Sequence, residues 1–169
     1  MILIRPGIRV MMDWIVPVIS AGCFTMYFGT GYVTGASKIA CACAARGWGC
    51  LMQGDYRPGD ICSMEGHVWM SLGRCRDGSV LLVHASPPGV RICGTYLADG
   101  TKSEAVMLAE QVMKRKYPAW YARYPECGVG YFYLEDSVSM RWYTDEEADP
   151  YHLQEMQAED VIHFLYPDL

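Results

Sequence analysis

The apolar positions of this chain fall into short continuous runs and longer helical stripes. Gly66-His67-Val68-Trp69-Met70-Ser71-Leu72-Gly73 and Gly78-Ser79-Val80-Leu81-Leu82-Val83-His84-Ala85 are short, apolar and bounded by glycine. They predict two strands of an antiparallel hairpin joined by the loop Gly73-Arg74-Cys75-Arg76-Asp77-Gly78. Within residues 36–46, Ala36, Ile39, Ala40 and Cys43 stand at i, i+3, i+4 and i+7, with Gly47 as a C-terminal stop, which predicts a helix of small side chains. Thr101-Lys102-Ser103-Glu104 has the form of a capping box, and Ala105, Leu108, Ala109 and Val112 make one stripe behind it. A helix over 103–116, closed by Pro118, follows.

Beyond that helix, Ala119-Trp120-Tyr121-Ala122-Arg123-Tyr124-Pro125 is rich in aromatic residues and reads as a short helix whose rings serve core or rim packing, with the lining of a groove for a sugar or peptide as the alternative. Cys127 to Leu134 reads as a returning strand, and a polar stretch from Thr144 to Pro150 leads to a short amphipathic helix over 156–165 with Glu159 and Asp160 in its first turn. No repeat, low-complexity tract or long linker interrupts the pattern. The expectation is a single α+β domain over 1–169: an irregular or signal-like segment 1–22, a core 23–134 and a C-terminal extension 135–169 carrying a short helix.

Composition narrows the function classes. At 169 residues, with 51% hydrophobic and 20% charged positions, the chain suits one globular domain with a sizeable core. A net charge of -5 argues against a nonspecific nucleic-acid binder, which needs clustered cations. The one dense basic cluster, Lys114-Arg115-Lys116, ends a helix, where cations complement the dipole. Gly29-Thr30-Gly31 followed by Gly35 lacks the preceding strand and the lysine of a phosphate loop, so no nucleotide is expected. Cysteines at 23, 41, 43, 50, 62, 75, 93 and 127 lack C-x-x-C spacing and are expected as mostly free thiols. Cys41, Cys43 and Cys50 are poorly spaced for a metal, with no histidine close in sequence, and neither a metal nor a cofactor is expected. His152 and His163 are isolated, and the acidic pairs Glu146-Glu147 and Glu159-Asp160 read as solvated faces.

The hairpin carries the candidate chemistry. Pairing Gly73 with Gly78 sets His67 directly opposite His84 on one face, with Cβ atoms ~5 Å apart. Two imidazoles that close resemble a general base and the group that orients it, which is what a thiol nucleophile needs. A histidine pair of this kind also serves as buried scaffold or as half of a metal site.

Arg57-Pro58-Gly59-Asp60-Ile61, then Gly66-His67-Val68, then Val83-His84-Ala85 on the next strand, form an ordered series. Over about residues 55–93 it resembles the NlpC family of bacterial cell-wall cysteine peptidases, which share a papain-like scaffold with the CHAP amidases. The resemblance implies an antiparallel sheet with N-terminal helices packed against it. It also implies a nucleophilic cysteine at the head of the first helix, where backbone N–H groups and the helix dipole favour a thiolate. Cys23, in Ser20-Ala21-Gly22-Cys23-Phe24-Thr25, takes that place, His67 becomes the base and His84 its orienting partner. The implied substrate is a peptidoglycan peptide and the implied setting the cell envelope or outside it.

The family's usual Asp-Cys-Ser-Gly is replaced here by Gly22-Cys23-Phe24-Thr25, so an inactive scaffold that binds cell-wall peptide or a protein partner stands as the alternative. A further reading takes Arg5, Arg9 and the apolar stretch Trp14 to Gly22 as a lipoprotein-like signal with Cys23 lipidated, although Asp13 and Ser20 fit it poorly. A membrane contact is expected only in that case. The stretch from Trp14 to Phe28 is shorter than the ~20 apolar residues of a spanning helix and contains Pro17.

Overall fold

A computed structural model describes residues 35–169. Cys23, the first-helix position, the signal-like segment and Gly29-Thr30-Gly31 lie outside the described residues. Among the described residues, strands β1 (Gly49–Met52), β2 (Ile61–Met64), β3 (His67–Arg74), β4 (Val80–Ser86), β5 (Gly89–Thr95), β6 (Gly128–Val129) and β7 (Val138–Trp142) form one sheet in the order β1-β7-β2-β3-β4-β5-β6. Every neighbouring pair is antiparallel except β5 with β6. The helices are α1 (Ile39–Ala45), α2 (Glu104–Lys116), α3 (Pro118–Arg123), α4 (Phe132–Glu135) and α5 (Ala158–Leu165). The protein is thus α+β with a mostly antiparallel sheet.

The continuous apolar runs have a physical reason: the sheet is covered on both faces. Val68, Met70, Leu72, Leu81, Val83 and Ile92 pack with Ile39, Ala40 and Cys43 of α1, with Ala105, Ala109 and Val112 of α2, and with Ala158 and Ile162 of α5. The alternate positions Cys62, Trp69, Val80, Leu82 and Cys93 form a second cluster on the other face with Tyr56, Val129, Tyr133 and Leu134. A strand buried on both sides gains hydrophobic stabilisation at every residue, so the polar–apolar alternation of a half-exposed strand disappears.

Helix α1 follows a 3-10 turn at Ala36–Lys38 and buries Ile39, Ala40 and Cys43, while Gly47 past its end has φ +74. In α2 the cap is Ser103, whose Oγ accepts from Val106 N at 3.2 Å and donates to Thr95 O. Thr101 instead bonds the Asp99 carboxylate. Gly94 of β5 lets α2 approach backbone to backbone, since a Cβ there would stand 2.1 Å from the carbonyl carbon of Ala105. Pro118 begins α3, and Trp120 and Tyr121 pack partly buried against the first core. No described helix is long and apolar enough to cross a membrane.

Several expectations are corrected. The strand expected over Cys127 to Leu134 is only Gly128–Val129, because the chain bends at Gly130, whose carbonyl accepts from Tyr133 N at 3.1 Å, and α4 follows. That turn delivers Tyr133 and Leu134 to the second cluster. Residues 135–169 contain β7, which lies between β1 and β2 inside the sheet. The β3–β4 register also differs: His84 pairs with Trp69, not with His67. The hairpin turn is longer than a Gly73–Gly78 pairing allows, and a bulge between Ser71 and Gly73 shifts the ladder.

Candidate functional site

His67 and His84 meet despite the changed register. His67 stands two residues before Trp69, so the two rings sit on one face as diagonal neighbours rather than facing partners. His67 Nε2 lies 3.1 Å from His84 Nδ1, and the rings meet edge to face at 5.2 Å between centroids. The bulge makes this encounter. Without it, the pairing of Gly73 with Leu81 would continue down the ladder, set Met70 opposite His84 and turn His67 to the other face. Gly73, at φ +115, supplies the backbone conformation that the bulge needs.

The two rings live in different surroundings. His84 is 1% exposed. Burial first, then the charges His67 can carry and that Arg91 does carry, lower its pKa to about 3, so it is neutral across the physiological range. His67 is half-buried at the start of β3, and its pKa is lowered by burial. A neutral, reachable imidazole backed by a second neutral imidazole can act as a proton acceptor.

Four further residues complete the cluster. Trp69 lies fully buried between the histidine site and Tyr56, its ring centroid 5.5 Å from that of Tyr56 and 6.1 Å from that of Tyr133. Its indole N–H donates to Ser137 Oγ at 2.9 Å, so its polar edge is satisfied. Tyr133 sits against both histidines, with ring centroids 5.7 Å from His67 and 5.9 Å from His84, and its hydroxyl is 3.3 Å from His84 Nδ1. Arg91 pairs directly with His84 across β4 and β5 and donates from Nε to His84 Nε2 at 3.4 Å. Cys93 places Sγ 3.5 Å from the same Nε2.

Cys93 is a thiol near an imidazole, yet its chemistry is not that of a nucleophile. It is 0% exposed, and burial pushes its pKa up to about 12. It contacts the inner histidine at the nitrogen facing away from His67. The thiolate that attack requires is therefore suppressed, and the sulfur is shielded from solvent.

The hydrogen bond between the rings can run in two directions. With the His67 proton on Nε2, His67 donates to His84 Nδ1 and keeps Nδ1 open to take a proton; with the His84 proton on Nδ1, the donor is His84 and the neutral His67 carries its proton on Nδ1. Which one holds decides whether His67 is ready as a base.

Of the residues expected from sequence, His67 and His84 are brought together, and Cys23 lies outside the described residues. Cys41 is exposed, Cys43 buried, and the cysteines in the described residues are free thiols. His152 and His163 are exposed and apart from the site. Arg91 and Cys93 were missed, though the two-residue turn Pro87-Pro88 pairs Ser86 with Gly89 and so sets His84 opposite Arg91 by counting alone. Tyr133 had no such signal, because its place depends on a turn misread as a strand.

Comparison of the chain with protein-family models, with curated proteins and with solved structures found no match.

Proposed function

We propose that this protein is a thiol hydrolase of the NlpC type, on a papain-like scaffold, that cleaves an amide bond in a peptidoglycan stem peptide, such as the link between D-glutamate and a diamino acid. The observation that carries the reading is the 3.1 Å contact between His67 Nε2 and His84 Nδ1, with the outer ring half-buried and the inner ring fully buried. The order of motifs along the antiparallel strands β2, β3 and β4 supports it as well.

In this mechanism Cys23 attacks the carbonyl as thiolate after His67 has taken the thiol proton at Nδ1. The resulting imidazolium donates from Nε2 to His84 Nδ1, which holds the ring in orientation. Backbone N–H groups beside the nucleophile stabilise the oxyanion. His67 then returns the proton to the leaving amine, and water resolves the thioester to a free acid and the regenerated thiol. His84 suits the orienting role because burial keeps it from taking the proton itself.

The test is hydrolysis of defined stem peptides by the full chain and by its Cys23→Ala and His67→Ala variants. Both variants are expected to lose turnover by several orders of magnitude while keeping the wild-type circular dichroism and melting temperature. Activity retained in Cys23→Ala moves the nucleophile elsewhere. The replacement of Asp-Cys-Ser-Gly by Gly22-Cys23-Phe24-Thr25 favours, as second reading, a scaffold that binds cell-wall peptide without turnover. A cysteine-reactive probe near neutral pH with mass mapping separates the two: selective labelling of Cys23 supports the hydrolase, and slow uniform labelling supports the scaffold.

A further inference from the structure

The direction of the hydrogen bond between the histidines is set by a neighbour that the hydrolytic mechanism does not use. Around His84 Nδ1 stand His67 Nε2 and the Tyr133 hydroxyl; around Nε2 stand Arg91 Nε and Cys93 Sγ. Imidazole, hydroxyl and thiol can each donate or accept. A guanidinium carries donors only and stays charged, so its direction is fixed. Arg91 Nε–H therefore requires a lone pair on His84 Nε2, and a neutral His84 then holds its proton on Nδ1. Arg91 is anchored in this position through Nη1, which donates to the Glu126 carbonyl at 3.3 Å. The Glu126 side chain is engaged with the Tyr96 hydroxyl, and no described carboxylate forms an ion pair with Arg91.

We propose that Arg91 is a positioning residue that locks the histidine pair in a resting tautomer, His84 Nδ1–H donating to His67 Nε2, and that a carboxylate of the substrate releases the lock by drawing the guanidinium away. Its meaning for catalysis rests on the hydrolase reading above; the tautomer itself does not. In the locked state a neutral His67 carries its proton on Nδ1, the nitrogen that has to receive one from the nucleophile, so the base is blocked. On release the His84 Nδ1 proton passes to His67 Nε2, the His67 Nδ1 proton leaves to water, and water returns a proton to His84 Nε2, whose N–H then donates a hydrogen bond to Cys93 Sγ. Water gains one proton and gives one back, so each ring keeps a single N–H and the charge of the pair is unchanged.

The substrate chemistry suits the release. A glutamate linked through one carboxyl keeps the other free, and a free carboxylate matches a guanidinium with two parallel hydrogen bonds, far stronger than the 3.4 Å contact with an imidazole. Binding of the acidic substrate would thus prime the base, and a peptide lacking that carboxylate would leave it locked.

The experiment is long-range proton–nitrogen correlation NMR on the full chain carrying nitrogen-15 histidine, with glutarate as the probe carboxylate. In the unaltered protein His84 is expected protonated on Nδ1 and His67 unprotonated on Nε2. Arg91→Met is expected to move the His84 proton to Nε2 and to raise the His67 titration midpoint, since its imidazolium gains an accepting partner. Glutarate is expected to produce the same change in the unaltered protein and none in Arg91→Met. The lock is overturned if unaltered His84 already carries its proton on Nε2, a result that needs no variant to fold. It is equally overturned if Arg91→Met leaves tautomers and midpoint unchanged. Release by a carboxylate is overturned if glutarate leaves the tautomer in place. Absence of hydrolysis with these spectra as expected would remove the hydrolase reading and leave the lock standing.

Discussion

Arg141 of β7 grips Asp60, at the turn before β2, with two hydrogen bonds, Nε to Oδ1 at 3.0 Å and Nη2 to Oδ2 at 2.7 Å. Asp60 is 0% exposed and also accepts from Arg57 N at 2.8 Å, while Arg141 reaches Asp55 through Nη1 at 3.1 Å. The pair fastens a late strand to the turn that leads into the histidine hairpin. Removing one partner leaves a buried charge without compensation. Arg141→Met should lower unfolding free energy by about 3–5 kcal/mol in urea titration. The double variant Asp60→Asn, Arg141→Met should recover part of that loss. Equal losses in single and double variants would show that the charge was not the reason.

Acidification should weaken the fold through His84. The unfolded side chain titrates near its ordinary value of 6.5, the folded one near 3. Between those values the unfolded chain binds the extra proton, so stability rises with pH there and is lost as pH falls below about 6.5. From pH 7 to pH 5 the expected loss is about 2 kcal/mol. His84→Gln should flatten that slope in denaturant titrations at the two pH values, and an unchanged slope would show that the inner ring is not held neutral.

The bulge that sets the face of His67 depends on Gly73. Its φ of +115 is one that L side chains rarely adopt, and a Cβ there would lie 3.0 Å from Ala158 N and 3.2 Å from Pro58 Cγ. Gly73→Ala should cost roughly 1–3 kcal/mol and perturb the His67 and His84 ring resonances together. Wild-type stability in this variant would mean that the bulge tolerates a side chain.

Thiol reactivity should follow burial rather than nearness to histidine. In native labelling with iodoacetamide, exposed Cys41 should react and Cys93 should not, because the latter is shielded and its thiolate suppressed. Cys93 should become reactive only in denaturant. Fast native labelling of Cys93 would make it a rival nucleophile.

Local chemistry determined much of this protein from its sequence alone. Apolar runs closed by glycine mark β3 and β4, small residues at helical spacing mark α1, and the stripe behind Ser103 marks α2, because each pattern reflects interactions within a few residues. The same-face placement of His67 and His84 follows from the Gly73–Gly78 register only because a longer turn and the bulge between Ser71 and Gly73, neither of them marked in the sequence, together shift the ladder by two residues, and a shift of two preserves the face. Tertiary structure alone decided the rest. Val138–Trp142 became an inner strand through a buried ion pair to Asp60, a partner 81 residues away. Tyr133 reached the site because the chain bends at Gly130 rather than extending, and Arg91 and Cys93 came to flank His84 because β5 lies beside β4 in the sheet. Contacts between segments distant in sequence leave no local periodicity, and it is those contacts that determine which nitrogen of the inner histidine carries its proton.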